Sequence, residues 1–177
     1  LTVGPLQVTG TAGFALTMAT VDADTDGNGT ADLVGATLTG LALDVANAGV
    51  TITDVATLQV SGRLGIATLA PADVLDTRSW FGLKMGEVTV SGGLDPSLGI
   101  QLSATITIGA LDYNSATNPT TPAAAKRLDW AKSFDLDGDG QFDDALNPGA
   151  LLPTPADLTI DFASTLQLRL TGTLTGT

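Results

Sequence analysis

Through most of the chain, apolar and polar residues alternate with a period of two. In SLGIQLSATITIGALDY, Leu98, Ile100, Leu102, Ala104, Ile106, Ile108 and Ala110 share one phase. Gly99, Gln101, Ser103, Thr105, Thr107 and Gly109 share the other. A helix would scatter those apolar positions around its axis, whereas a strand sends them all to one side. The same alternation runs through Phe14, Leu16 and Met18, through Leu41, Leu43 and Val45, and through Leu58, Val60, Leu64 and Ile66. Near the C-terminus Leu158, Ile160 and Phe162 stay in step with Leu166, Leu168, Leu170 and Leu174, which predicts one long strand. In FGLKMGEVTVSG the apolar phase changes between Met85 and Val88 around Gly86, the mark of a β-bulge. The expectation is an all-β domain of long antiparallel amphipathic strands, in a β-sandwich or an elongated β-roll, with one face buried and the other wet.

Punctuation supports that division. Residues 67–80 and 91–99 carry the Pro, Gly and Asp of loops. Residues 114–156 break the pattern: Pro119, Pro122, Pro148, Pro153 and Pro155 forbid a central strand there. The segment is expected to be a structured, calcium-binding insertion in a single β domain spanning 1–177, with a short helix in PAAAKRLDWAKSF that turns Leu128, Trp130 and Ala131 inward. The chain opens on LTVGPLQVTG, and a Leu/Thr/Gly idiom including TGT recurs at both ends. That texture is expected of one unit of a tandem array or filament.

Composition narrows the chemistry. Seven Lys and Arg stand against 19 Asp and Glu, a net charge of −12, so no nucleic-acid partner is expected. The absence of Cys and His removes disulfides, thiolate or imidazole zinc sites, and Cys- or His-based catalysis. A serine nucleophile would need a lysine base, and Lys84, Lys126 and Lys132 sit in no such motif. No run is long enough for a transmembrane helix. An enzyme is not expected. Trp80, just after Arg78, is expected to anchor the core at a strand start.

The acids concentrate in two stretches, DADTDGNGTAD at 22–32 and DLDGDGQFDD at 135–144. Asp24, Asp26, Asn28, Thr30 and Asp32 align with Asp135, Asp137, Asp139, Gln141 and Asp143, each set obeying D-x-D-x-[ND]-G-x-x-D. Calcium takes six to eight oxygens at about 2.3–2.6 Å, and short carboxylates on alternate residues of a tight loop converge on one point. Thr30 and Gln141 need supply only a backbone carbonyl, which is why they differ. The competing reading is a pair of solvated acidic turns, since Asp-Gly and Asn-Gly are favoured turn dipeptides. Two copies with one spacing favour the metal, and about two Ca²⁺ per chain are expected.

Both loops resemble the short calcium loops of integrin-type β-propeller and thrombospondin type 3 repeats. They depart from EF-hands, whose twelfth position demands Glu, because Gly35 and Leu146 stand there. With its Thr/Gly-rich amphipathic strands, its Arg78-Ser79-Trp80 step and its DxDGDG insertions, the whole chain resembles the repeat units of giant bacterial cell-surface proteins of the LEPR-XLL type. That resemblance implies an extracellular, calcium-rigidified structural module of an adhesin, stalk or filament, with neighbouring copies of itself as partners. The alternative is a calcium-dependent module that binds glycans or other cell surfaces through the 114–156 insertion.

Overall fold

A computed structural model describes residues 2–3, 5–117 and 126–177. Its strands are β1 (Thr2–Val3), β2 (Leu6–Ala23), β3 (Leu33–Ile52), β4 (Ala56–Ala70), β5 (Ser79–Met85), β6 (Val88–Leu94), β7 (Ser103–Thr117) and β8 (Leu168–Gly176). All pair antiparallel in one sheet. β5 and β6 are the two halves of one interrupted strand. Both lie between β4 and β7, β5 beside the upper half of each and β6 beside the lower. The order across the sheet is therefore β1, β2, β3, β4, β5 with β6, β7, β8. The expected all-β, antiparallel architecture is what the chain adopts. Its strands form a single sheet, and a second layer of irregular chain, residues 126–167, covers part of one face.

The interruption at Gly86–Glu87 belongs to a line of irregularities crossing the sheet. β3 carries an extra residue at Ala46–Asn47, where Val45 pairs with Gly62 and Ala48 with Val60. β7 carries one at Gly109, since Ile108 pairs with Gly172 and Ala110 with Thr171. Each extra residue flips the side-chain phase of its own strand. The apolar phase in the sequence flips at the same places, so Leu41, Leu43 and Val45 share a face with Ala48, Val50 and Ile52. Likewise Phe81, Leu83 and Met85 share that face with Val88 and Val90, and Leu111 and Tyr113 share it with Ile106 and Ile108. Ala110 thus leaves the face that unbroken alternation would give it, and Leu98 lies in a 3-10 turn, Pro96–Leu98, outside the strand.

The opposite face is the one that becomes a core. In its upper half the sheet offers Ala36, Leu38, Gly40, Ala42, Gly65, Ala67, Leu69, Trp80, Gly82 and Asn114, and the irregular layer lays Leu128, Trp130, Phe134, Leu158, Ile160 and Phe162 against them. Small residues on the sheet are needed because the large ones come from the other layer. A Cβ on Gly82 would lie 3.0 Å from both Ile160 and Trp130, and one on Gly65 would lie 3.1 Å from Leu158. Asn114, fully buried, joins the layers: its Nδ2 donates to the Leu128 carbonyl at 2.9 Å and its Oδ1 accepts from Trp130 Nε1 at 3.1 Å. Trp80 is buried at the start of β5, as expected, with Nε1 donating to the Lys126 carbonyl at 3.0 Å.

Four expectations are corrected. The predicted long C-terminal strand is only Leu168–Gly176; Leu158, Ile160 and Phe162 lie in the irregular layer, with a lone bridge between Leu146 and Ile160. A turn in which Leu166 N–H donates to the Ala163 carbonyl separates the two stretches. The insertion begins later than residue 114, because β7 runs to Thr117. Of the predicted helix, residues 122–125 lie outside the described residues; Lys126–Phe134 is loop and turn, although Leu128 and Trp130 do face inward. Among the described residues there is no α-helix, and none long and apolar enough to cross a membrane. Finally, the strongly apolar face of the sheet is not the covered one. Phe14 and Met18 are each 70% exposed on it.

Candidate metal centre

The two acidic stretches fold as one structure built twice. In the first, Asp24 Oδ1 accepts from the backbone N–H of Gly27 and Asn28 at 2.7 and 3.2 Å, and Oδ2 accepts from Gly29 at 2.6 Å. In the second, Asp135 Oδ1 accepts from Gly138 and Asp139 at 2.8 and 3.1 Å, and Oδ2 accepts from Gly140 at 3.0 Å. The next ligand positions repeat as well. Asp26 and Asp137 each accept from the residue two ahead at 3.1 Å, and Asn28 and Asp139 accept from Thr30 and Gln141 at 2.9 and 2.8 Å. Wrapping the chain this tightly needs left-handed backbone at Gly27, Gly29, Gly138 and Gly140, whose φ values are +81°, +83°, +81° and +85°.

The sheet holds the loops side by side. The first connects β2 to β3, and the second lies in the irregular layer. Ala23 and Phe134, the residues just before each loop, form an antiparallel bridge, and Asp24 N–H donates to the Ser133 carbonyl at 3.0 Å. Each loop then closes on the residue preceding it: Asp32 N–H donates to the Ala23 carbonyl, and Asp144 N–H to the Phe134 carbonyl, both at 3.1 Å. Between the loops opens a polar cleft of about 470 Å³, lined also by Lys126, Arg127, Asp129 and Lys132.

Closure identifies the last acid of each loop, and here the structure departs from the spacing. Asp144, not Asp143, is the counterpart of Asp32. Asp32 accepts from Thr25 N–H and Thr25 Oγ1 at 2.6 and 2.7 Å, and Asp144 accepts from Leu136 and Asp137 N–H at 2.6 and 3.0 Å. The second loop holds one more residue before it closes. Asp143 instead lines the cleft.

Asp135, Asp137 and Asp144 bring one carboxylate oxygen each within 4.8 Å of one another. A single cation with oxygen ligands at about 2.3–2.6 Å spans up to about 5.2 Å between them, so these three residues fit one ion. The corresponding acids of the first loop, Asp24, Asp26 and Asp32, form no three-acid group by the same measure among the described residues. Burial of Asp24, only 2% exposed, works to raise its carboxyl pKa. The N–H donors of Gly29, Gly27 and Asn28 outweigh that and hold it below the usual 3.8. Of the loop acids only Asp32 has a cation within ion-pair range among the described residues, Arg78 at 3.8 Å. The arrangement is a set of hard oxygen donors, pre-shaped by backbone N–H groups, with little internal charge compensation. Comparison with protein-family models, with characterised proteins and with solved structures finds no match to this chain.

Proposed function

We propose that this chain is a calcium-stabilised structural module of an extracellular bacterial adhesin, stalk or filament, in which like units join end to end along their free sheet edges. The observation that carries the reading is the doubled loop, with Asp135, Asp137 and Asp144 gathered to within 4.8 Å. Carboxylate and carbonyl oxygens without imidazole or thiolate suit calcium better than zinc or copper. One ion in each loop would tie the β2–β3 connection to the irregular layer, where a chain without disulfides has few other cross-links. The free edges support assembly. β8 is exposed along its whole length, and among the described residues β2 is paired on its outer side only by the two residues of β1. Long open edges invite another strand, and a neighbouring copy would satisfy them.

The cleft between the loops favours a second reading, a calcium-dependent module for glycan or cell-surface ligands. Lys126 and Lys132 would meet the ligand there, and it is distinguished by loss of ligand retention in a Lys126→Ala, Lys132→Ala variant that still binds calcium. For the first reading the test is calorimetric titration. Two equivalents of calcium are expected, with Asp24→Ala and Asp135→Ala each removing one. Asp144→Ala should weaken the second site, and Asp143→Ala should leave it intact. Unchanged stoichiometry in the first two variants would return both loops to the status of solvated turns.

A further inference from the structure

We infer that a second copy of this chain packs face to face on the open apolar side of the sheet, converting the single sheet into a sandwich. The inference goes beyond the calcium reading and stands on the sheet alone.

Because the bulges restore the apolar phase, every strand from β2 to β8 sets aliphatic or aromatic residues on this side, over both halves of the sheet, while Leu38, Leu69 and Trp80 point to the covered one. Phe14 and Leu16 on β2, Leu58 on β4 and Leu170 on β8 are exposed there, at 70, 60, 48 and 59%. Strand positions facing this way in register with them, such as Leu41, Leu64 and Leu83, carry no charge. The chain has 26 charged residues, 7 basic and 19 acidic, and of the described strand positions facing this way only Asp22, at the upper end of β2, is charged. A sheet with one apolar face needs a second layer, and in the single chain the irregular layer sits on the other side.

Size and charge select the occupant. Six long strands about 4.8 Å apart, at about 3.3 Å per residue over roughly 15 residues, give a face of roughly 1,400 Å². Two such faces together would bury roughly 2,800 Å², the size of an obligate homodimer interface. A face that is apolar apart from Asp22 at its rim is complementary to itself, and two sheets of the same twist pack aligned about 10 Å apart. A dimple of about 180 Å³ where the bulges cross the sheet, bounded by Leu43, Val60, Leu64, Met85 and Val88, offers a socket for a partner side chain. A lipid surface fits less well. Arg63, Lys84 and Arg169 stand on the opposite face and the other four cations in the loops, leaving no basic rim for headgroups.

The test is sedimentation velocity on the full chain at micromolar concentration, with calcium and with chelator. Twice the monomer mass is expected in both, and a Leu16→Lys, Leu58→Lys variant should run as a monomer with an unchanged far-ultraviolet spectrum. Both positions are exposed in a single copy, so the lysines cost the fold little. As the chain has no cysteine, Leu58→Cys and Gln59→Cys, adjacent residues on opposite faces, report which face is covered. Maleimide should modify the Leu58→Cys protein about tenfold more slowly than the Gln59→Cys protein. A monomeric wild type would overturn the inference, as would self-association that the two lysines leave intact. So would equal maleimide rates in a dimer, which would mean pairing by edges, or wild-type monomer floating with neutral phosphatidylcholine vesicles, which would make lipid the occupant.

Discussion

Asp24 and Asp135 play the same part at two places in the chain, each accepting three backbone N–H groups that fix the loop around it. That much was legible in the sequence, because short acids and glycines at fixed spacing leave the backbone few alternatives. The closing acid of the second loop was not. Asp143 and Asp144 are adjacent and chemically identical, and they are distinguished by the folded loop: Asp144 N–H donates to the Phe134 carbonyl and its carboxylate accepts from Leu136 and Asp137. The Arg78-Ser79-Trp80 step has a local explanation. Arg78 Nε and Nη2 reach Asp76 at 3.0 and 2.7 Å, and the guanidinium lies 5.3 Å from the centre of the Trp80 ring and 3.8 Å from Asp32. The hydrogen bonds from Arg78 hold the Asp76 carboxyl below its usual 3.8. A carboxylate lowered by folding stabilises the native state above its unfolded pKa, and that contribution disappears as pH falls through the folded value. The stability difference between wild type and Asp76→Asn, measured by urea unfolding, should therefore be constant near neutrality and shrink only below about pH 4. With both groups partly exposed, the difference should not exceed about 1 kcal/mol.

Among the elements, the strands follow from alternation and the bulges from its interruptions, but unevenly. The break at Gly86 was legible because Met85 and Val88 stand out of phase. The one at Gly109 was hidden, since Ala110 continues the apolar phase of Ile108 while the strand has in fact shifted to Leu111. The long strand predicted through Leu158–Leu174 failed in its first part because a buried irregular segment can carry the same alternating apolar residues as a strand. The line of bulges gives a sharp test at Gly62, the residue of β4 that pairs with Val45 beside the extra residue in β3. Its φ is +147°, and an added Cβ would lie 2.5 Å from Val88 Cγ2 and 2.8 Å from the Glu87 carbonyl. Gly62→Ala should cost about 1–3 kcal/mol in denaturant unfolding. Gly109→Ala meets nothing closer than 3.6 Å and should change stability by less than about 0.5 kcal/mol. Equal costs would mean that the bulges do not constrain the backbone as described.

At the scale of the whole molecule, the sheet is amphipathic in a way the alternation alone leaves unresolved. The pattern separates two faces without saying which one the chain itself covers. The irregular layer chose the face of Gly, Ala and Asn, because Trp130, Ile160 and Leu158 need close approach to the strands. The strongly apolar face was left for something else. The same layer brings the second acidic loop against the first, so ions in the two loops would lock layer to sheet. The gain in stability follows the ratio of free calcium to Kd: about 4.1 kcal/mol per site at a thousandfold excess, or roughly 10 °C in Tm for a domain of this size. The most direct measurement is thermal unfolding of the chain in millimolar calcium and again in excess chelator. The two-loop staple predicts a melting temperature higher by roughly 10 °C or more with calcium; superimposable curves would contradict it.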